Sequence, residues 1–278
     1  MIQEVFLSIT YPPIPITQIG PLSFSLHGVF AAIGFYIGAS HALKLCEKDK
    51  GNSVLFSDAL TWAIFGAILG ARFFTIPAHI GEPGYGIDDV FSLAGSFSIM
   101  GGMAGGIIAA YLKISVLNKE DFKQYGDYAA TGLILGTVIG RIGDLAIVEH
   151  LGRKTNFLLG YEVLPGYDLA PQHNRIECFE PLQTCGIYHH VAMYDLFFAL
   201  IIFFVFRSLQ KKFIFGKGSW MGLWALWYGV QRFILDFLRF GMGDSTIGNF
   251  TWNQVGGILL ALIGLLFFLK NKKLKQAN

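Results

Sequence analysis

Apolar residues gather into seven runs, at about 24–45, 58–77, 90–112, 127–148, 191–206, 218–238 and 251–269, separated by polar joints. The hydrocarbon layer of a bilayer takes about 20 residues of helix, so runs of this length predict membrane-crossing helices. The pattern predicts an all-α integral membrane protein: a seven-transmembrane helix bundle forming one polytopic domain over residues 1–278. One joint departs from the rest. From about 149 to 190 the chain carries Pro165, Gly166, Pro171 and Pro181. It is too long for a turn and predicts a small external head inserted over the bundle.

Composition agrees, with 53% hydrophobic and 14% charged residues and a mean hydropathy of +0.51, well outside soluble globular proteins. The 21 Lys and Arg residues orient the bundle. Fourteen lie on one side, among them Lys44, Lys113, Lys211 and Lys270, against four on the other: Arg153, Lys154, Arg175 and Arg239. The positive-inside rule then puts the N-terminus outside and the C-terminus in the cytoplasm. Nothing in this balance, or in the net charge of +2, points to nucleic acid. Residues 1–20 lack a basic start and a small-residue cleavage site, and read as a short external arm. Cys178 and Cys185 share the external joint and could close a disulfide in an oxidising compartment; Cys46 reads as a buried thiol.

The chemistry lies where polar side chains interrupt the apolar runs. Arg72, Arg141 and Arg232 each stand 14 positions into a run, and the three runs share one direction, which predicts one depth. A guanidinium in hydrocarbon is costly without a partner, and three at one level predict a shared anion, most simply a phospholipid phosphate. Arg141 and Asp144 are three apart on one helical face, with Glu149 and His150 following at the water boundary. Arg232, Asp236 and Arg239 form a second such stripe. Glycines at four-residue spacing, including Gly66 and Gly70, Gly101 and Gly105, and Gly132, Gly136 and Gly140, predict close helix contacts. Gly140 and Gly143 flank Arg141 and leave room for a ligand.

These residues resemble the prolipoprotein diacylglyceryl transferase family. Gly140-Arg141-Ile142-Gly143-Asp144 with Glu149 and Gly152 is similar to its signature G-R-x-G-N-F-x-N-x-E-x-x-G. Ile19-Gly20-Pro21, Gly70-Ala71-Arg72, Ser98-Ile99-Met100-Gly101-Gly102, the run from His190 to Tyr194-Asp195, and Tyr228-Gly229-Val230-Gln231-Arg232 through Arg239 match further family motifs in order. The resemblance implies an enzyme of the bacterial inner membrane. Such an enzyme moves the diacylglyceryl group of phosphatidylglycerol onto the lipobox cysteine of a preprolipoprotein, and no metal ion or cofactor is expected. It implies a catalytic group of Arg141, Arg232, Asp144 and Glu149. Arg72, Met100, Gly101, Gly102, Gly140, Gly143, Gly152, Tyr194, Asp236 and Arg239 are expected to line the substrates. Four positions depart from the pattern: Met100 replaces a histidine, His27 a tyrosine, Asp144 an asparagine and Asp236 a glutamate. A thioether cannot take a proton from a thiol, so His27 is the expected base. A non-catalytic or altered-substrate relative that binds or moves anionic phospholipid would carry the same arginines.

Overall fold

The computed structural model describes residues 8–19, 22–76, 98–169, 173, 176, 184–239, 246–247, 250–272 and 275–276. Among them are seven helices of 13 residues or more: α1 (Leu26–Lys48), α2 (Ser53–Phe73), α3 (Ile99–Tyr111), α4 (Phe122–Ala146), α5 (Val191–Lys212), α6 (Ser219–Asp236) and α7 (Trp252–Asn271). Of these, α1, α2, α4, α5 and α7 are long and apolar enough to cross a membrane, and Gly101–Leu117 is a shorter apolar helix. The protein is mostly helical and membrane-integral. Two helices begin several residues before their apolar runs. Asn52 caps α2 by accepting from the Leu55 amide at 3.0 Å, and α4 opens on the mixed sequence Phe122-Lys123-Gln124. The equal offsets of the three arginines therefore belong to the onset of hydropathy, not to the helix starts.

The described chain divides into two compact units, 1–40 with 129–278, and 41–128. In the smaller unit, α2 and α3 cross backbone to backbone. A methyl on Gly70 would lie 2.9 Å from the Gly105 Cα, and one on Gly66 2.5 Å from the Gly105 carbonyl oxygen. Ser98 caps α3, accepting from the Gly101 amide at 3.1 Å, and its own amide donates to the Ala71 carbonyl at 2.9 Å. The helix then widens into a π-helical segment, Leu112–Leu117, carrying it past the end of its predicted run.

In the larger unit α1 meets α4 through glycine, a Gly34 methyl standing 2.5 Å from the Gly136 carbonyl oxygen. Helices α6 and α7 meet the same way, with Gly229 facing the Ala261 amide at 2.5 Å. In a bilayer no hydrophobic effect separates helix from lipid, so such contacts carry the association. Thr251 and Gln254 close a reciprocal cap on α7.

The head between α4 and α5 contains strands, which its hydropathy does not signal. A three-stranded antiparallel sheet has the order β3 (Leu151–Lys154), β5 (Gly186–His190), β4 (Tyr161–Val163), taking β1 and β2 as the short pair at 17–19 and 22–24. Val148, Leu151, Tyr161, Val163, Cys185 and Tyr188 form its buried core. Cys185 is disulfide-bonded, Cys46 is buried and free, and Cys178 lies outside the described residues. The N-terminal arm belongs to the head. The Ile9 amide donates to the Gly160 carbonyl and the Glu162 amide to the Ile9 carbonyl, both at 2.9 Å. The Tyr11 hydroxyl donates to the Leu145 carbonyl at 2.7 Å and lies 2.9 Å from His190 Nε2.

Burial holds the His173 and His190 imidazoles down to about 4 from an ordinary 6.5, so both are neutral in the folded head. The unfolded head binds more protons between those values, and its stability is full above about pH 6.5 and lost as the pH falls toward 4. The protection of amides across 151–163 and 184–190, observed exchange taken relative to the intrinsic rate at each pH, is expected to fall between pH 6 and 4.5, and to fall less in His173→Gln. Protection that is constant over this range would show that the head does not depend on neutral histidines.

Candidate functional site

Asp144 is the centre of the polar cluster in the larger unit, only 1% exposed. Its Oδ1 receives His27 Nδ1 and its Oδ2 receives the Arg141 guanidinium one turn back on α4. Gly143 makes this possible. A methyl there would stand 2.5 Å from the Leu26 carbonyl oxygen and 3.0 Å from the His27 Cα. The missing side chain thus lets the start of α1 close onto α4 and seats the imidazole on the carboxylate. Helix α4 stops at Ala146, and Val148 and His150 take left-handed backbone angles, φ 53° and 62°. Such angles are strained for residues with a Cβ, at about 1 kcal/mol each. They turn the chain back so that the Glu149 amide donates to the Asp144 carbonyl at 2.8 Å and Glu149 Oε2 comes 3.1 Å from His27 Nδ1. Burial raises the Glu149 carboxyl, but the hydrogen bond from His27 outweighs it and holds the group below the usual carboxylate range.

Arg141 is held at both ends of its fork. NH1 binds Asp144, and NH2 lies 2.5 Å from Asp195 Oδ2 on α5. Asp195 also accepts from the Gln231 amide of α6. A narrow cleft opens beside them, lined by Arg141, His150, Asp195, Tyr228, Arg232 and Arg239 among others. Asp236 does not neutralise Arg232. It accepts from the Thr251 hydroxyl at 2.5 Å and stands 4.0 Å from Arg239. Arg239 NH2 in turn lies 3.1 Å from His150 Nδ1. Burial and then the Arg239 charge keep His150 neutral, well below its ordinary value, so Nδ1 accepts. Among the described residues Arg232 makes no hydrogen bond or ion pair.

Of the residues expected from the sequence, His27, Arg141, Asp144 and Glu149 come together directly, and Arg232 and Arg239 join Arg141 at the cleft. Tyr194 does not. Its hydroxyl lies 3.1 Å from His189 Nδ1, and it is the next residue, Asp195, that reaches Arg141. Gly152 serves packing, its amide neighbour Arg153 donating to the Leu238 carbonyl at 2.9 Å. A methyl on Gly152 would meet the His189 Cβ at 2.9 Å. A methyl on Gly140 would make only ordinary contact, with the Ala31 Cα at 3.9 Å. Arg72, Gly101 and Gly102 belong to the smaller unit, and the Met100 side chain lies outside the described residues. Asp195, Gln231 and Tyr228 were legible only as motif neighbours. A four-residue step from Arg232 back to Tyr228 was the available signal.

His27, Asp144 and Glu149 also offer three ligand atoms within 4.8 Å of one another. The Arg141 guanidinium already occupies the far oxygen of Asp144, which sets a positive charge against any divalent ion there.

These features define a helical integral membrane protein with a buried polar site gathered around guanidinium groups. The chain belongs to the prolipoprotein diacylglyceryl transferase family, whose model matches residues 14–270. It is similar to proteins named phosphatidylglycerol–prolipoprotein diacylglyceryl transferase. That of Trichormus variabilis is 29% identical over 272 residues, 95% of this chain and 92% of the relative. That of Rickettsia rickettsii (strain Sheila Smith) is 29% identical over 271 residues, 92% and 96%. That of Corynebacterium diphtheriae is 24% identical over 273 residues, 96% of each chain.

Gly143→Ala is expected to force α1 off α4, at a cost of about 1–3 kcal/mol, and to break the His27–Asp144 contact. Activity should fall at least roughly tenfold. Gly140→Ala should leave the melting temperature unchanged, since its methyl would make ordinary van der Waals contact without a clash. A Gly143→Ala protein with normal turnover would remove the glycine contact from the account. Exhaustive chelation is expected to leave turnover unaltered; a loss restored by a divalent cation would reassign the His27, Asp144 and Glu149 triad as a metal site.

Proposed function

We propose that this chain transfers the diacylglyceryl group of phosphatidylglycerol to the lipobox cysteine of a prolipoprotein, at the outer face of a bacterial inner membrane. The observation that carries the reading is Arg232. Arg141 is shared by Asp144 and Asp195, Arg239 neighbours Asp236, and Glu149 faces His27, while Arg232 lines the cleft with no hydrogen bond or ion pair among the described residues and has Asp195 as its charged neighbour. A phosphodiester carries one negative charge. A guanidinium fork can bind it bidentately, which a compact ammonium cannot match. The seven-span count, the external N-terminus and the single polytopic domain belong to the same proposal, and so do Arg72, Met100, Gly101 and Gly102 as contributors on family resemblance.

In the proposed reaction the cysteine sulfur attacks the glycerol carbon that bears the phosphate. The S–C bond forms, the C–O bond breaks, and glycerol phosphate leaves with the electron pair. Arg232, supported by Arg141 and Arg239, meets the charge that grows on the leaving phosphate, where a fixed donor acts without reorganising water. His27 takes the thiol proton. With Nδ1 turned to Asp144 and Glu149, Nε2 on the opposite side of the ring is the atom that accepts, and the half-exposed side chain is open to an incoming peptide. Family membership favours transfer over the rival reading of a lipid-binding protein without chemistry.

Incubation with labelled phosphatidylglycerol and a lipobox peptide tests this. The wild type should yield thioether-linked peptide and glycerol phosphate. Arg232→Ala should lose roughly 10²- to 10³-fold in turnover, and Arg232→Lys should recover little of it. His27→Ala should lose turnover while keeping lipid binding. Near-normal rates in Arg232→Ala would take the phosphate out of this cleft, and a wild type that binds lipid yet transfers nothing from any donor would leave the lipid-binding reading.

A further inference from the structure

The loop Thr155–Gly160 crosses from β3 over β5 to β4 and is closed on itself. The Phe157 amide donates to the Thr155 hydroxyl at 2.9 Å and the Gly160 amide to the Phe157 carbonyl at 3.2 Å. This tight turn presents Phe157 and Leu158 outward, 61% and 55% exposed. On a face in water two adjacent bulky apolar side chains would be an unusual display. Their surroundings give a reason.

The Phe157 ring lies 6.2 Å from the ring of Tyr194 and 6.1 Å from that of His189. Tyr194 is in the first turn of α5, one of the helices fit to cross a membrane, so Phe157 sits within a turn of the bilayer edge whichever end of the bundle is outside. The exposed apolar face of α5 continues downward through Phe197, Phe198, Ile201 and Phe204. Arg153 and Lys154, on the strand that leads into the loop, are exposed. Exposed aromatic and aliphatic groups beside exposed cations, at the first turn of a helix fit to cross a membrane, are the two features a lipid interface takes up, acyl chains meeting the one and anionic headgroups the other.

We propose that this loop, with Arg153 and Lys154, is a membrane-interface anchor that inserts Phe157 and Leu158 among the upper acyl segments and binds anionic phospholipid headgroups. The anchor is tied to the cleft. Gly152 bridges to Arg239, the Arg153 amide donates to the Leu238 carbonyl at 2.9 Å, and Arg153 Nε donates to the Arg239 carbonyl at 3.3 Å. The depth of the tip therefore sets the depth at which Arg239 meets a headgroup. None of this depends on the transfer reaction.

The test is a nitroxide on Phe157→Cys, and separately on Leu158→Cys, in the full chain in nanodiscs with and without phosphatidylglycerol. Cys46 is buried and Cys185 bonded, and label on the unmutated chain is subtracted. Both labels should collide more with oxygen than with a water-soluble nickel chelate, while a label on Asp168→Cys, exposed in the same head, should do the reverse. Immersion should deepen in the anionic discs and lose that deepening in Arg153→Gln/Lys154→Gln. Labels at 157 and 158 that behave like the one at 168 would overturn the proposal. So would labels that stay aqueous in discs and become shielded only when lipobox peptide is added, since the surface would then belong to the peptide.

Discussion

The carboxylate of Asp144 holds the site together. It lies almost wholly buried between an imidazole and a guanidinium, and an ion in such a place persists only if its oxygens are well partnered. Each partner comes from a different part of the chain: His27 from the start of α1, Arg141 from the preceding turn of α4. The helix contact at Gly143 brings the first within reach, and the helical repeat supplies the second. From Asp144 the network extends through Arg141 to Asp195 on α5 and on to Gln231 on α6. Four helices are thereby bound to one another by polar contacts at the point where a substrate would meet them.

Within that network Arg232 lines the cleft with no hydrogen bond or ion pair among the described residues. Four carboxylates, Asp144, Asp195, Asp236 and Glu149, each make their shortest contacts with groups other than Arg232, Asp236 with the Thr251 hydroxyl. The head contributes as well. Strand β3 meets the end of α6 through Gly152, and the buried neutral His150 holds Arg239 from the other side. A loop with little hydropathy signal therefore fixes the outer rim of a site whose floor is formed by helices.

Much of this was legible in the chain. The runs located the helices because membrane burial demands long apolar stretches, and the arginines in them stood out by their cost in hydrocarbon. The onset of hydropathy missed the first turns of α2 and α4, since a capped or mixed turn at the membrane edge is helical without being apolar. The strands of the head were not legible, being three to five residues long and rich in Tyr and His. Tyr194 and Asp195 are adjacent on α5, and a motif alone cannot tell which of two neighbours faces inward; the bond from Asp195 to Arg141 decides it. Gly140 and Gly143 look alike in sequence, yet a methyl would clash with the α1 backbone only at Gly143 and make ordinary contact at Gly140, because closeness depends on a partner helix that no local pattern names.

The replacement of a tyrosine and an asparagine of the family pattern by His27 and Asp144 falls on two residues that touch. In the proposed reaction their pairing would set a proton acceptor in the same site as the Arg232 guanidinium, where the thiol of an incoming cysteine needs one. The most direct measurement is the structure of the protein with phosphatidylglycerol bound. The account predicts the phosphate within hydrogen-bonding distance of the Arg232 guanidinium, with the adjoining glycerol carbon facing His27. A headgroup seated elsewhere, with Arg232 turned onto Asp195 or Asp236, would contradict it.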